Sequence, residues 1–371
     1  MKLTYFFLYG RKERLKSDPN CPKEMFYSYD YFLDKFLDTE IIQFTDNRKG
    51  SIAQFLKFFD RVLNKVTKLP FFTYNALTSK NFKIISKSDY LVLAQDRIAL
   101  SILPALIIMK IFKSKANISF FVMGLYNKKP KPGMFFRIRN IILRLLHSVV
   151  DNIIFLGEGE FNHAIRNYPY LLEKSHLLPF MVDYSFWNTE TTPSALKDGI
   201  LFVGNDSNRD FNLLVNIAKE YPEIRFTFIT KKFMFKKPDL NNVEFIDGSW
   251  GNQMISDKEL KSMYNKSKIT IIPLNNSYQP SGQSVALQSM CVGTPVLITN
   301  TDGFWDKENF NDKEEILFVP DSNIKSWKKI IDEYYSDNEK LDELSQKGLN
   351  LIKKKYTSET FNENFSKILG L

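Results

Sequence analysis

The hydrophobic pattern of this 371-residue chain alternates between short, continuously apolar runs and longer amphipathic stretches. Runs such as Ile118–Met123 predict buried strands, and stretches such as Ile52–Val66, with Ser51 as N-cap, predict helices between them. The predicted strands cover residues 3–9, 41–44, 82–85, 90–93, 118–123, 152–156, 200–203, 225–230, 243–246, 269–273, 296–299 and 316–319. The predicted helices cover residues 23–37, 52–66, 96–112, 134–150, 211–220, 257–265, 283–292, 325–355 and 357–369.

A turn-rich connector from Asp183 to Asp198 interrupts this alternation, which then begins again. It predicts two α/β domains of the Rossmann-like, doubly wound type, facing a cleft. We place an N-terminal acceptor domain at residues 1–185 and a C-terminal nucleotide-sugar domain at 186–355. A final helix at 356–371 is expected to cross back to the first domain. Such sheets bind ligands at the carboxyl ends of their strands.

The amino-acid composition indicates the cellular environment in which we expect the protein. Hydrophobic residues make up 44% of the chain, which supports substantial cores, and Cys21 and Cys291 match no metal or redox spacing, as expected in a reducing cytoplasm. The excess of Lys over Arg suggests an AT-rich genome, and we expect a bacterial protein. The longest apolar run, 98–109, is too short to span a membrane, and the start of the chain reads as a strand without a signal-peptide cleavage site.

The net charge of +9 is unevenly placed, because residues 97–150 hold ten Lys or Arg and no Asp or Glu. This segment favours a helix lying on an anionic membrane surface, on the inner face of the cytoplasmic membrane. A core helix with a solvated basic edge and a nucleic-acid groove are the alternatives, although no nucleic-acid motif accompanies the charge and we expect no such partner. The membrane candidates are Lys128, Lys129, Lys131, Arg137, Arg139 and Arg144.

Two loops are candidates for binding an anion. Ser281 and Gly282 open a predicted helix, and the first amides of a helix point outward without partners inside it. Arg209 follows the strand that ends at Gly204, beside another helix start, where a guanidinium can fork onto a diphosphate. The alternatives are an ordinary loop–helix–strand crossover, and an Arg209 that pairs with Asp206 or Asp210 at the surface.

These residues resemble the nucleotide-sugar glycosyltransferases of the two-Rossmann GT-B fold, especially retaining family four. Gly293 to Val296 match the family's Gly-Thr-Pro-Val strand, and Gly204 with Arg209 matches its phosphate clamp, with Arg in place of Lys. Met181–Phe186 resembles the interdomain turn, and Tyr356–Phe361 the pattern before the last helix. The resemblance covers residues 155–371. The sequence departs from the family at both glutamates of its Glu-x7-Glu motif, replaced by Pro280 and Gln288.

The resemblance implies a retaining hexosyltransferase that uses a UDP- or GDP-sugar without a metal or other cofactor. By position, Ser281, Gly282, Gln283 and Ser284 would hold phosphate and sugar, and Gln288 the ribose. Gly204 and Asn205 complete the donor candidates, and Arg209 would meet the charge of the departing diphosphate. The loop at 302–305 is a candidate to close on the donor.

The acceptor is expected to be a lipid or a lipid-linked glycan, as in glycolipid or polysaccharide biosynthesis. Asp96 is one acceptor candidate, with a surface pair between Asp96 and Arg97 as the alternative. Glu158 is the other, although helix capping by Glu160 explains that segment equally well. A sugar-nucleotide-binding protein without activity and a sugar-nucleotide epimerase on the same fold are the alternative functions.

Overall fold

The structure is a computed structural model that describes residues 1–36, 38–45, 50–249 and 255–371. The chain divides into two compact units, the first formed by Met1–Leu178 with Asn362–Leu371 and the second by Pro179–Phe361. The turn-rich connector had suggested the first boundary at 185 and the final helix the second at 355, each a few residues from the boundary in the structure. Within the described residues, each unit contains one six-stranded sheet whose strands are all parallel.

The first unit places its strands in the order β2-β1-β3-β4-β5-β6. The central strands are apolar and buried on both faces, as parallel strands covered by helices must be. The strands are β1 (Lys2–Phe7), β2 (Asp38–Gln43), β3 (Tyr90–Leu93), β4 (Asn117–Val122), β5 (Asn152–Phe155) and β6 (Ser175–Leu177). The helices are α1 (Arg11–Ser17), α2 (Tyr29–Lys35), α3 (Ser51–Thr67), α4 (Thr73–Ala76), α5 (Ser79–Ile85), α6 (Asp96–Ser101), α7 (Leu103–Ile111), α8 (Met134–Val149) and α9 (Glu158–Asn167).

The second unit has the order β12-β11-β10-β7-β8-β9, so the chain reverses direction across the sheet between β7 and β10. Ligands of doubly wound sheets bind where the strand order reverses in this way. The strands are β7 (Ile200–Val203), β8 (Phe226–Ile229), β9 (Val243–Ile246), β10 (Ile269–Ile272), β11 (Val296–Thr299) and β12 (Leu317–Val319). The helices are α10 (Tyr184–Trp187), α11 (Phe211–Glu220), α12 (Asp257–Lys266), α13 (Gln283–Cys291), α14 (Ile324–Tyr334) and α15 (Asn338–Lys355), followed by α16 (Ser358–Leu369).

Helix α13 begins close to the point where the strand order of the second sheet reverses, and its packing fixes its position. It begins after Gly282, whose φ of +84° lies in the left-handed region, and Gly293 follows its last turn with a φ of +74°. Its residues from Val285 to Cys291 are buried, because α13 packs against β10, β11, α12 and α15. Such a helix has little freedom to shift, so its N-terminus is fixed at the edge of the sheet.

The fold predicted from the sequence is confirmed as two Rossmann-like units, but several local predictions are wrong. Residues 82–85 belong to helix α5, not a strand, because Thr78 caps the helix by accepting the Asn81 N–H. A short apolar run alone cannot separate the two structures. The helix predicted at 96–112 is broken between α6 and α7, and α3 is capped by Gly50 instead of Ser51. The helix predicted at 23–37 is the shorter α2 after a 3₁₀ turn, and position 37 lies outside the described residues.

Among the described residues, no helix is both long and apolar enough to cross a bilayer.

Candidate functional site

The loops that follow β7 and β10 meet at the switch point of the second sheet. The Asp210 N–H donates to the Pro273 carbonyl at 2.9 Å, and the Asn275 N–H donates to the Asn208 carbonyl at 2.8 Å. A side-chain bond joins the same loops, since the Asn208 amide donates to the Ser281 hydroxyl at 2.8 Å. The structure therefore brings the Arg209 loop and the Ser281 loop together.

Arg209 is 5% exposed, and its side chain lies between Gly204 and Gly282. Its Nε atom is 3.0 Å from an Asp206 carboxylate oxygen, so the ion pair weighed as an alternative is present. The Nη1 atom is buried and has no hydrogen-bond partner among the described residues. A buried guanidinium nitrogen without a partner is costly, so this position favours an anion.

Two glycines create the space that Arg209 occupies. A Cβ atom added at Gly204 would lie 2.3 Å from Arg209 Nε. A Cβ atom added at Gly282 would lie 2.9 Å from Arg209 Nη1 and 2.8 Å from the Ile272 side chain. The guanidinium consequently lies against the backbone where α13 begins, next to amides that a helix leaves unpaired. The Arg209 guanidinium and the N-terminus of α13 would therefore attract the same anion.

The remaining donor candidates on α13 differ in exposure. Ser281 and Ser284 are half-buried at the start of the helix, whereas Gln283 and Gln288 are buried. The Gln288 side-chain oxygen accepts a hydrogen bond of 3.3 Å from the Tyr264 hydroxyl. Ribose binding by Gln288 stays a prediction, and it would have to share this amide with Tyr264.

Asn205 has partners that the sequence did not reveal. Its amide nitrogen donates to the Gly248 carbonyl at 2.7 Å, and its oxygen accepts the Lys231 N–H at 2.8 Å and the Thr230 hydroxyl at 3.1 Å. The side chain therefore ties the loop after β7 to the segments that follow β8 and β9. Asn205 therefore helps to position the loop that carries Arg209. Donor contact by Asn205 stays a prediction.

The loop at 302–305 is held by hydrogen bonds and by the packing of its aromatic side chains. The Asp302 N–H donates to the Asn276 side chain, and the Asn276 amide donates back to the Asp302 carboxylate, both at 2.9 Å. Phe304 and Trp305 are buried and stack on each other with ring centroids 4.0 Å apart. The aromatic residues of this loop are part of the core, and closure of the loop on the donor stays a prediction.

The acceptor candidates of the first unit, Asp96 and Glu158, follow the carboxyl ends of β3 and β5. Asp96 is buried, accepts the Arg97 N–H at 2.7 Å and bonds the backbone of the loop after β4, so the alternative of a surface pair is wrong. Glu158 is half-buried and accepts a bond from the Asn162 amide. Acceptor contact by Asp96 or Glu158 stays a prediction.

Glu160, expected from the sequence only to cap a helix, is a further functional candidate. It is buried and accepts the N–H groups of Gly124 and Tyr126, so it holds the loop after β4 instead of capping α9. Burial, followed by the charge of Asp96, raises the pKa of Glu160 to about 8. Burial likewise raises the pKa of Asp96 to about 6. The only sequence signal was an acidic residue close after a buried strand.

The basic segment divides into exposed and buried members. Lys128, Lys129, Lys131, Arg137 and Arg144 are exposed. Arg139 is instead 1% exposed, and its Nη2 atom donates to the carbonyl oxygens of Leu125 and Lys128. Its inclusion among the membrane candidates was therefore wrong, because it lies on the side of α8 that faces the loop after β4.

His147, near the end of α8, is buried. Its ring nitrogens lie 2.9 Å from the Tyr126 hydroxyl and 3.1 Å from the Tyr170 hydroxyl. Burial, with smaller contributions from Lys174 and Arg139, lowers the pKa of His147 to about 3. The ring is therefore a neutral part of the core at ordinary pH.

Comparison with known proteins points to one group of enzymes. Residues 241–350 match the family model described as glycosyl transferases group 1. No curated protein sequence matches the chain.

Solved structures share the whole architecture of the chain. Anabaena HepE in complex with UDP-glucose superposes with a TM-score of 0.71 at 12% identity, covering 100% of this chain and 99% of HepE. Sucrose-phosphate synthase from Thermosynechococcus elongatus gives 0.66 at 10% identity, covering 99% and 98%. A glycosyltransferase from Rickettsia africae gives 0.63 at 14% identity, covering 99% and 98%.

At these identities the structural likeness shows the fold. Together with the family match, it confirms the resemblance to GT-B glycosyltransferases that the motifs had indicated. A glycosyltransferase function of group 1 is supported, and retaining family four is compatible with these findings and stays a prediction.

Proposed function

We propose that the chain is a retaining glycosyltransferase that moves a hexose from a nucleotide sugar to a lipid or lipid-linked glycan, without a metal. The observation that carries this proposal is the position of Arg209, whose buried guanidinium lies against Gly282 at the start of α13. A UDP-linked donor is favoured, because HepE, which shares the fold, was solved with UDP-glucose.

The chemistry follows from that position. As the glycosidic bond breaks, its electron pair passes to the β-phosphate oxygen, and negative charge grows there. Arg209 Nη1 and the amides that open α13 would meet this charge, with Ser281, Gly282, Gln283 and Ser284 around phosphate and sugar. Each charge-assisted hydrogen bond contributes roughly 1.5–3 kcal/mol. A few such bonds stabilise the leaving diphosphate substantially while the acceptor hydroxyl attacks.

Turnover with a panel of nucleotide sugars tests this activity. We expect one donor to release its nucleoside diphosphate in the presence of a lipid-linked acceptor and of EDTA, and NMR of the product to show the donor's anomeric configuration. Inversion, or dependence on a divalent cation, would contradict the proposed mechanism. Binding without turnover would favour the sugar-nucleotide-binding protein, and conversion of the donor sugar without an acceptor would favour the epimerase.

We propose that the protein binds the inner face of the cytoplasmic membrane. The exposed side chains of helix α3 are the strongest support for membrane binding. The buried residues of this helix are Ala53, Asp60 and Thr67, while five of its large apolar side chains are exposed. The exposed apolar residues are Ile52, Phe55, Phe58, Phe59 and Val62. The exposed charges of α3 are Lys57, Arg61 and Lys65, all basic.

Helices α3 and α7 each pack against α8, which extends the same kind of surface. Ile111 and Phe112 at the end of α7, and Ile141 and Leu145 on α8, are exposed. Exposed apolar side chains beside Lys and Arg suit the interface of an anionic bilayer, where the rings enter the lipid and the cations meet the head groups. A lipid-linked acceptor would be reached from such a surface.

Vesicle binding tests the membrane surface with a matched control. The double variant Phe55→Ser/Phe59→Ser is expected to bind anionic vesicles at least about 10-fold more weakly, since each buried ring contributes roughly 1.5–3 kcal/mol. Phe235→Ser removes a still more exposed ring from the second unit and should leave binding unchanged. Binding of the wild type should also weaken with salt. Equal losses in both variants, or equal binding to neutral vesicles, would contradict the membrane proposal.

A further inference from the structure

The first unit contains a cavity of about 240 Å³ between the loop after β4, helix α8 and helix α9. It is smaller than the roughly 300–1,000 Å³ of sites that enclose a whole drug-sized ligand, so it suits one chemical group of a larger molecule. No acidic residue of the described part of the chain lines it. Its walls are Tyr126, Lys129, Phe136, Arg139, Asn140, His163, Asn167 and Tyr168.

Arg139 is the residue that gives this cavity its chemistry. Its Nη2 atom is engaged, at 2.7 Å from the Leu125 carbonyl and 3.0 Å from the Lys128 carbonyl. Its Nε and Nη1 atoms are buried and have no hydrogen-bond partner in the described ranges. The titratable groups that act on it are the hydroxyls of Tyr168 and Tyr126. A buried cation paired with no carboxylate is expensive unless an anion completes it.

Other residues in the wall add to the same preference. Lys129 carries a second positive charge to the cavity and is exposed, so an anion can approach it from solvent. Asn140 and Tyr168 are already joined by a 2.9 Å hydrogen bond, which fixes one side of the cavity. The rings of Tyr126, Phe136 and Tyr168 supply apolar walls that strengthen the electrostatic attraction inside.

We propose that this cavity binds a phosphate group of the acceptor, held by Arg139 and Lys129. The inference rests on the proposed transferase function, and it names the acceptor class more narrowly as a phosphate-bearing lipid or lipid-linked glycan. Arg139 has two roles in this arrangement, since Nη2 holds the loop after β4 while Nε and Nη1 face the phosphate. The guanidinium fork matches two phosphate oxygens, and the Lys129 ammonium supplies a point charge.

The test measures phosphate binding separately from the donor site. Calorimetric titrations use the full chain carrying Arg209→Ala, so that phosphate has no guanidinium to bind near α13. We expect inorganic phosphate and glycerol 3-phosphate to bind with dissociation constants below about 1 mM, and glycerol not to bind. Adding Lys129→Gln should weaken both about 5-fold, and adding Arg139→Gln about 50-fold, as expected for charged hydrogen bonds.

Arg166→Gln is the matched control, because Arg166 is an exposed cation on α9 that does not line the cavity. It should leave both affinities unchanged. Circular dichroism checks that each variant is folded. If Arg139→Gln does not fold, Lys129→Gln at the rim of the cavity decides the outcome alone. Equal affinities for Lys129→Gln and Arg166→Gln would overturn the proposal, as would absence of phosphate binding.

A second arm identifies where the phosphate comes from. Vesicles of phosphatidic acid are compared with phosphatidylglycerol vesicles of equal charge, which present a diester. Tighter binding to phosphatidic acid that Lys129→Gln weakens would assign the cavity to a terminal lipid phosphate. A preference for glycerol 3-phosphate alone would assign it to a soluble or glycan-borne phosphate. Sugar transfer is read separately with wild-type chain, so failure of transfer with intact phosphate binding would count against the proposed function and leave the cavity assignment standing.

Discussion

Replacing Gly204 by alanine tests the donor site by displacing Arg209 without removing any side chain. The added Cβ would lie 2.3 Å from Arg209 Nε and 3.0 Å from Cζ. Gly204 has no positive φ, so its backbone accepts an L-residue without strain. What the new methyl group meets is the end of a flexible side chain. The backbone can therefore stay in place while the guanidinium moves away from the start of α13.

The size of the effect follows from the displacement. Ordinary contact between the methyl group and Nε needs about 3.5 Å, so the guanidinium must move by roughly 1 Å. A misplacement of that size in a catalytic group costs about 10²-fold in rate. Overpacking against a movable side chain costs only about 1–2 kcal/mol of unfolding free energy. We therefore expect kcat to fall about 10²-fold in a chain that remains folded.

A double-mutant cycle provides the assay. Arg209→Ala, Gly204→Ala and the double variant are compared by release of nucleoside diphosphate, with urea unfolding as the check on stability. If Gly204→Ala acts by moving Arg209, it should cost nothing further once Arg209 is gone. Additive losses in the double variant, or a Gly204→Ala enzyme with wild-type turnover, would refute the assignment of Arg209.

The other predictions concern stability. Because the pKa of Asp96 rises from 3.8 to about 6 and that of Glu160 from 4.5 to about 8, the folded chain keeps protons that the unfolded chain has released. This stabilisation is complete below the unfolded pKa values and is lost progressively as the pH rises to the folded values of about 6 and 8, on the order of 3 kcal/mol for Asp96 and about 5 kcal/mol for Glu160. Urea unfolding of Glu160→Gln should show a flatter pH dependence between pH 5 and 8, and an unchanged slope would contradict the burial of this charge. Asn205→Ala removes three hydrogen bonds between loops and should lower the unfolding free energy by about 1–3 kcal/mol. It should weaken donor binding less than Arg209→Ala does. A larger loss of donor binding in Asn205→Ala than in Arg209→Ala would make Asn205 a donor ligand.

The strand–helix alternation predicted both sheets, since buried parallel strands such as β7 and β11 are continuously apolar and their crossover helices have clear periodicity. Local errors arose where a short apolar run had no such context. The run at 82–85 forms a helix because Thr78 supplies a cap, which hydropathy does not report.

The candidate site was partly accessible from the sequence. Glycine and arginine after strands indicated anion binding, but only the structure shows that Gly204 and Gly282 make room for one guanidinium. Arg139 was assigned to the surface because helical spacing alone does not say which polar residue faces the protein. The outward-facing aromatic residues of α3 were missed for the same reason, since an amphipathic pattern predicts an apolar face without saying what covers it.

The central claim is that Arg209 and the start of α13 together bind a diphosphate. Titration of the wild type, Arg209→Lys and Arg209→Ala with a uridine diphosphate and with uridine monophosphate tests it most directly. We expect the wild type to bind the diphosphate at least about 10-fold more tightly than the monophosphate, Arg209→Lys to keep part of that preference, and Arg209→Ala to lose it. The same preference in all three proteins would show that the diphosphate is bound elsewhere.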